Sequence, residues 1–214
     1  VTLTPTLHPL NTPASRALII SLDGARPDAI VSHAPFIRRF AENRGAYDWE
    51  ARTVFPPQAV PAHVSLLTGL TPDVHGIRAD YGYGTDVTRP NLLTLADEAG
   101  LRVGIVVSKT RFDFMRLTES MDLIRTRQKD DEAMEQVVNM MDAGYDLVFA
   151  HLSELDYAGH LTTWMGEGYL GEVETTDGIL QAAFQDMEGR GLLDDTLIII
   201  TSSNGGHEYG HGED

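Results

Sequence analysis

A chain of 214 residues with 42% hydrophobic residues is long enough to bury one core but short for two independent domains. Acidic residues outnumber basic ones by 32 to 16, and the formal net charge of -16 argues against binding a nucleic-acid polymer through a basic surface. No apolar run has the length of a membrane span, and the absence of cysteine excludes disulfides, thiolate metal sites and a cysteine nucleophile.

The N-terminal residues have the composition of an arm rather than of a core element. We expect residues 1–15, which are polar and contain proline, to form this arm, and residues 16–214 to form a single domain. The chain begins with Val1 instead of methionine. This start indicates that a leader was removed by processing or by cloning, and it favours a secreted or periplasmic origin.

Short apolar runs alternate with segments of helical periodicity along the chain. In chain order, the pattern predicts a strand at 17–22, helices at 35–43, 61–68 and 92–99, and a strand at 103–108. It then predicts a helix at 134–141, a strand at 147–152, a helix at 168–188 and a last strand at 197–202. Strands that alternate with helices indicate a single doubly wound α/β domain, with a mostly parallel central sheet and helices on both faces.

Polar residues follow three of the predicted strands: Asp23, residues 154–160 and residues 203–211. Ligands of such folds bind beyond the carboxyl ends of the strands, so we expect these residues to form the functional site. Asp156 and His160 lie four positions apart and would share one face of a helical turn, where both could bind one cation. Taken alone, such a pair is more often a capping aspartate and a surface histidine.

Three sequence blocks occur in a characteristic order. The first is Asp23-Gly24, the second runs over residues 60–77 with the pattern Pro-x-His…Thr-Gly…Pro-x-x-His-Gly, and the third combines residues 156–160 with 200–212. With these blocks the chain resembles the type I phosphodiesterase/nucleotide pyrophosphatase family of the alkaline phosphatase superfamily. Members of that family continue with another strand and helix, so an end at Asp214 predicts a fragment or a different closure of the fold.

The resemblance implies a two-metal site at the carboxyl edge of the sheet, with a threonine or serine nucleophile that forms a covalent phospho-enzyme. One zinc-like cation would be bound by Asp156, His160 and His211, all of which are present. The second would be bound by Asp23, the nucleophile and an Asp-His pair after the last strand. The resemblance also implies a small phosphoester, or a related anionic small molecule, as the ligand.

Four positions depart from the family's pattern. The nucleophile position is Ala59, and the Asp-His pair is replaced by Ser203 and Asn204, which leaves Asp23 as the one strong donor for the second cation. The asparagine that binds the phosphoryl group in the family is replaced by Asp80, whose carboxylate would repel a phosphate dianion unless it is protonated or metal-bound. These changes predict one zinc or similar divalent cation and little or no covalent phosphoryl transfer.

Other side chains near these blocks have both a structural and a functional interpretation. His63 is expected to be a structural hydrogen-bonding residue rather than a metal ligand. Tyr81 and Tyr83 could line a ligand pocket by stacking, or simply pack a loop. Trp164 could cover the site or be a core contact.

Three functions are compatible with this sequence. The chain could be a metal-binding protein that has lost phosphoryl transfer, by natural change or by deliberate inactivation. It could be an active phosphoric ester hydrolase that uses a metal-bound water, or a different hydrolase with Asp80 or Asp23 as general base. Thr53 and Ser65 are replacement nucleophiles that we set aside, because neither lies at the predicted helix entrance.

Overall fold

The computed structural model describes residues 14–80, 89–127 and 129–211. Within these ranges the strands are β1 (Arg16–Leu22), β2 (Val103–Val107), β3 (Asp122–Arg125), β4 (Leu147–Leu152) and β5 (Thr196–Thr201). The α-helices are α1 (Pro27–His33), α2 (Pro35–Arg44), α3 (Ala59–Thr68), α4 (Pro72–His75), α5 (Leu92–Glu98), α6 (Asp130–Asp142), α7 (Glu154–Thr162) and α8 (Glu167–Gly189). A 3₁₀ helix spans Thr110–Met115.

The strands form one parallel sheet in the order β3-β2-β4-β1-β5. β1 and β4 end in step, since Leu22 pairs with Leu152, and Ser21 pairs with Thr201 near the end of β5. The polar segments that follow these three strands therefore begin side by side at one edge of the sheet.

Two hydrophobic clusters cover the two faces of the sheet. Leu18 and Ile20 of β1 pack with the apolar residues of α6 and α8, whereas Ile19 packs in a second cluster with α3, α5 and the 3₁₀ helix. Because successive strand residues point to opposite faces, each central strand contributes to both clusters and is mostly apolar, with Ser21 in β1 and His151 in β4 as polar exceptions near the carboxyl end. The predicted doubly wound α/β architecture is confirmed.

Each predicted strand and helix has a counterpart whose ends lie within four residues of the predicted ones. β3 was not predicted from the sequence, because this four-residue edge strand is only half-buried and carries no continuous apolar run. Tyr81 and Tyr83 lie outside the described residues, as do residues 1–13 of the predicted N-terminal arm. Among the described helices, none is both long and apolar enough to cross a bilayer.

The start of α7 is fixed by α6 through reciprocal hydrogen bonds. The carboxylate of Asp130 accepts from the backbone N–H groups of Ser153 at 2.9 Å and Glu154 at 3.2 Å. Glu154 Oε2 accepts in return from the backbone N–H of Asp130 at 2.9 Å. These bonds satisfy N–H groups at the first turn of α7, and they hold the helix that carries Asp156 and His160.

Gly24 allows the loop after β1 to lie directly against α7. Its φ is +81°, a left-handed conformation that residues other than glycine rarely adopt. A Cβ atom added there would lie 2.6 Å from the Cα atom of Asp156. The close approach of these two backbones therefore requires glycine.

We expect Gly24→Ala to lower the free energy of unfolding by roughly 2–4 kcal/mol, because it adds a backbone clash to the left-handed strain. The matched control is Gly100→Ala, since Gly100 has a φ of +80° and open space where a Cβ would lie. That change should cost only the strain, roughly 1–2 kcal/mol. Urea denaturation in the presence of a chelator measures both, and equal losses would show that the approach to Asp156 is not tight.

Candidate metal centre

Three polar side chains from two strand ends converge at the carboxyl edge of the sheet. Asp156 and His160 lie one turn apart on α7, and His211 lies in the segment after β5. One donor atom from each lies within 4.8 Å of the others. Asp156 Oδ1 is 3.5 Å from His160 Nε2 and 3.4 Å from His211 Nε2, and the two Nε2 atoms are 3.1 Å apart.

The other nitrogen of each imidazole is used by a backbone carbonyl. His160 Nδ1 donates to the carbonyl of Tyr209 at 2.7 Å, and His211 Nδ1 donates to the carbonyl of Gly205 at 2.8 Å. Because a carbonyl only accepts, these bonds keep the proton of each neutral ring on Nδ1 and turn both Nε2 lone pairs towards the carboxylate. Asp156 Oδ1 is buried and has no hydrogen-bond partner among the described residues. Two imidazole lone pairs and an unpaired carboxylate oxygen are a donor set that fits a divalent cation.

Trp164 packs against this centre from the core side. Its ring centroid lies 4.7 Å from that of His160 and 5.3 Å from that of His211, and its Nε1 donates to the carbonyl of Gly24 at 3.0 Å. Trp164 is only 4% exposed and belongs to the main hydrophobic cluster, which confirms the core-contact interpretation. The side chain of His160 is 43% exposed, so the centre opens to solvent on the opposite side.

Asp23 is surrounded by hydrogen-bond donors. Its Oδ1 accepts from Ser203 Oγ and from Asn204 Nδ2, and its Oδ2 accepts from His151 Nε2 at 3.1 Å and lies 3.5 Å from Lys109 Nζ. The side chain is completely buried. Burial on its own would raise the pKa of Asp23, but the hydrogen bond and charge of His151, together with the charges of His63 and Lys109, hold that pKa well below its usual range. Asp23 is therefore a stable buried carboxylate with both oxygens engaged.

Two of these donors, His151 and Lys109, were not predicted from the sequence. His151 lies inside the apolar strand β4, where an imidazole breaks an otherwise hydrophobic run, and its Nδ1 lies 2.9 Å from Ser108 Oγ. Lys109 follows β2 by two residues and is one of only two lysines in the chain. Both lie at or near the ends of strands, and this position was the sequence feature that could have identified them.

The carboxylate of Asp80 accepts a backbone hydrogen bond at the start of α3. Ala59 is the first residue of this helix and is buried, and the backbone N–H of the next residue, Val60, donates to Asp80 Oδ1 at 2.8 Å. Asp80 Oδ2 pairs with Arg111 NH1 at 2.5 Å. Helix N-termini bind anions, and here the anion is a carboxylate of the chain itself, balanced by a guanidinium.

His63 is a buried hydrogen-bonding residue, as predicted. Its Nδ1 donates to the carbonyl of Ala59 at 2.6 Å, which leaves Nε2 to accept from the hydroxyl of Ser21 at 2.9 Å. Burial, together with the charge of the neighbouring His151, lowers the pKa of His63 to about 4. The imidazole is therefore neutral at pH 7.

The two hydroxyls that were set aside as nucleophiles are engaged elsewhere. Thr53 Oγ1 donates to the carbonyl of Ser203. Ser65 Oγ lies 2.9 Å from His75 Nε2, but His75 Nδ1 accepts from the backbone N–H of Ile77 at 3.1 Å. This bond leaves the ring proton of neutral His75 on Nε2, so the imidazole cannot take the proton of Ser65.

A family model supports the resemblance. The model described as type I phosphodiesterase / nucleotide pyrophosphatase matches residues 17–100 and, in an overlapping second segment, residues 79–210. Human GPI ethanolamine phosphate transferase 1 is 34% identical over 82 residues, which are 35% of this chain and 9% of that protein.

Solved structures share the fold. Murine ectonucleotide pyrophosphatase / phosphodiesterase 5, in an inactive threonine-to-alanine form in complex with AMP, is 19% identical with a TM-score of 0.75. Phosphonoacetate hydrolase from Sinorhizobium meliloti, in complex with phosphonoformate, is 21% identical with a TM-score of 0.71. The matches cover 89% and 90% of this chain and 57% of each solved chain, so this chain spans little more than half of either.

We expect His63 to make the protein less stable in mild acid. The unfolded chain binds a proton at this imidazole with a pKa near 6.5, whereas the folded protein binds it only near 4, so the unfolded state is favoured as the pH falls between these values. The free energy of unfolding at pH 4 should lose roughly 3 kcal/mol relative to pH 7 on account of this group.

Denaturant titrations of His63→Gln over this pH range should show a correspondingly shallower loss than those of the wild type. The exposed His207, changed to glutamine, is the control and should leave the slope unchanged. Parallel curves for wild type and His63→Gln would contradict a neutral buried imidazole.

Proposed function

The chain belongs to the type I phosphodiesterase/nucleotide pyrophosphatase family, and we propose that it is a metal-binding member that holds one divalent cation and has little or no covalent phosphoryl-transfer activity. The observation that carries this proposal is the convergence of His160 Nε2, His211 Nε2 and the unpaired Asp156 Oδ1. Without a cation, three electron-rich atoms would face one another in a partly buried site. Two imidazoles and one carboxylate suit zinc or a similar cation, and they leave a further coordination position for a ligand.

The absence of covalent transfer follows from the chemistry of Ala59. A covalent phospho-enzyme needs a hydroxyl at the entrance of α3, and the methyl group of alanine has no oxygen. Ser203 and Asn204 donate hydrogen bonds to Asp23, and the amide oxygen of Asn204, which has no hydrogen-bond partner among the described residues, is only a weak neutral ligand for a second cation.

The ligand that we propose is a small phosphoester or a related anionic small molecule. A bound cation would supply positive charge to an anionic group at the solvent-exposed side of His160. In the murine relative, an inactive form that has lost a threonine is nevertheless found in complex with AMP. Ligand binding in that protein thus survives the loss of activity, and we extend the same separation to this chain.

Hydrolysis without a covalent intermediate is the alternative, and the contacts argue against it. A general base needs a free lone pair aimed at the reacting water. Asp23 is engaged by four donors, and Asp80 is engaged by Val60 and Arg111. Either carboxylate would have to lose partners before it could accept a proton.

We expect the purified protein, loaded with zinc and desalted, to contain about one cation per chain by elemental analysis. His160→Ala and His211→Ala should each lose this cation, with affinity falling at least about 100-fold, since even outer partners of metal ligands change affinity by about 10–100-fold. His207→Ala is the matched control, because His207 is exposed and lies in the same segment as His211 without joining the cluster. A cation that survives both ligand changes would refute the site.

We expect no zinc- or manganese-stimulated hydrolysis of bis-p-nitrophenyl phosphate above that of His160→Ala, because the nucleophile position lacks a hydroxyl. Isothermal titration with AMP should, by contrast, show binding to the zinc-loaded protein and none to His160→Ala. Chelator-sensitive turnover that is absent from His160→Ala would favour the active hydrolase instead.

A further inference from the structure

Lys109 lies between the two acidic residues of the site. Its Nζ is 2.6 Å from Asp156 Oδ2 and 3.5 Å from Asp23 Oδ2. The lysine side chain is only 10% exposed, and the two carboxylates are buried. The two oxygens of Asp156 are thus divided, with Oδ2 on the ammonium group and Oδ1 towards the two histidines.

Two buried carboxylates side by side require positive charge. Removing one partner of a buried ion pair is costly because it leaves an uncompensated charge. The candidate metal would compensate Asp156 from the side of His160, but among the described residues its cluster of ligands does not include Asp23. Lys109 contacts both carboxylates and is therefore placed to balance them together.

The hydrogen-bonding groups around Asp23 fit a neighbouring ammonium group better than a metal ion. A metal ion needs lone pairs, whereas Ser203 and Asn204 both donate hydrogen bonds to Asp23; the Asn204 amide oxygen, which is buried without a hydrogen-bond partner among the described residues, is a weak neutral ligand on its own. An ammonium group carries three N–H donors and needs only acceptors, which the carboxylates of Asp23 and Asp156 provide. The residues at this position thus suit a fixed cation better than an exchangeable metal ion.

We propose that the Lys109 ammonium is the resident second cation of this site. It takes the electrostatic role that the resemblance assigns to a second metal, and it excludes that metal. This inference rests on the proposed function for the first cation. The site would then present one exchangeable divalent cation and one permanent monovalent cation to its ligand.

Metal stoichiometry tests the exclusion. A donor-restored variant, Ala59→Thr/Ser203→Asp/Asn204→His, should still bind about one zinc ion per chain, because Lys109 remains in place. The same variant with Lys109→Ala should bind about two. Two ions with Lys109 intact, or one ion after its removal from a folded variant, would overturn the proposal.

Stability in a chelator tests the charge role without any metal. Lys109→Met should lower the Tm by about 10 °C, and adding Asp23→Asn to it should recover part of this loss. The matched control is Lys129→Met, because Lys129 is the other lysine and its side chain, which is 59% exposed, makes an ion pair with Glu154 at 3.7 Å. That variant should change the Tm by less than about 2 °C.

These results separate the two proposals. A wild type that binds no cation would defeat the proposed function, while the chelator comparison of Lys109→Met with Lys129→Met would remain decisive for the lysine. If Lys109→Met is as stable as the wild type in chelator, the ammonium does not balance the carboxylates and the inference is wrong.

Discussion

The site depends on the need to neutralise two carboxylates that the fold buries next to each other. Asp23 and Asp156 come from the ends of β1 and β4, which finish in step, and Gly24 lets their backbones approach closely. Uncompensated charges in such a place would cost several kcal/mol each. Ser203, Asn204, His151 and Lys109 meet that requirement around Asp23, and Lys109 also pairs with Asp156.

The two halves of the site meet this requirement in opposite ways. Around Asp23, the protein supplies its own hydrogens, and both oxygens are satisfied by His151, Ser203, Asn204 and Lys109. Around Asp156 Oδ1, the histidine protons point away to backbone carbonyls, and the lone pairs remain. Asp23 is thus neutralised by groups of the chain itself, whereas the lone pairs around Asp156 Oδ1 are available to a cation from outside the chain.

The sequence predicted the parallel sheet and its principal helices from the pattern of apolar residues, and predicted the shared site of Asp156, His160 and His211 from the resemblance to the family. It did not reveal Lys109 or His151 as partners of Asp23. A lysine two residues after a strand is usually a solvated surface charge, and a histidine within an apolar strand is usually a core residue. Only the register of β1 and β4, together with the adjacent end of β2, brings these side chains to one carboxylate.

The contact between Asp80 and the start of α3 has a consequence for selectivity. A carboxylate tethered by a short segment acts as an internal competitor with an effective concentration in the millimolar range. An incoming anion that seeks the Val60 N–H must exchange with it, and must also suit the Arg111 guanidinium that would be released. Buffer anions that bind weakly would then not displace Asp80, and only molecules that make additional contacts elsewhere would bind.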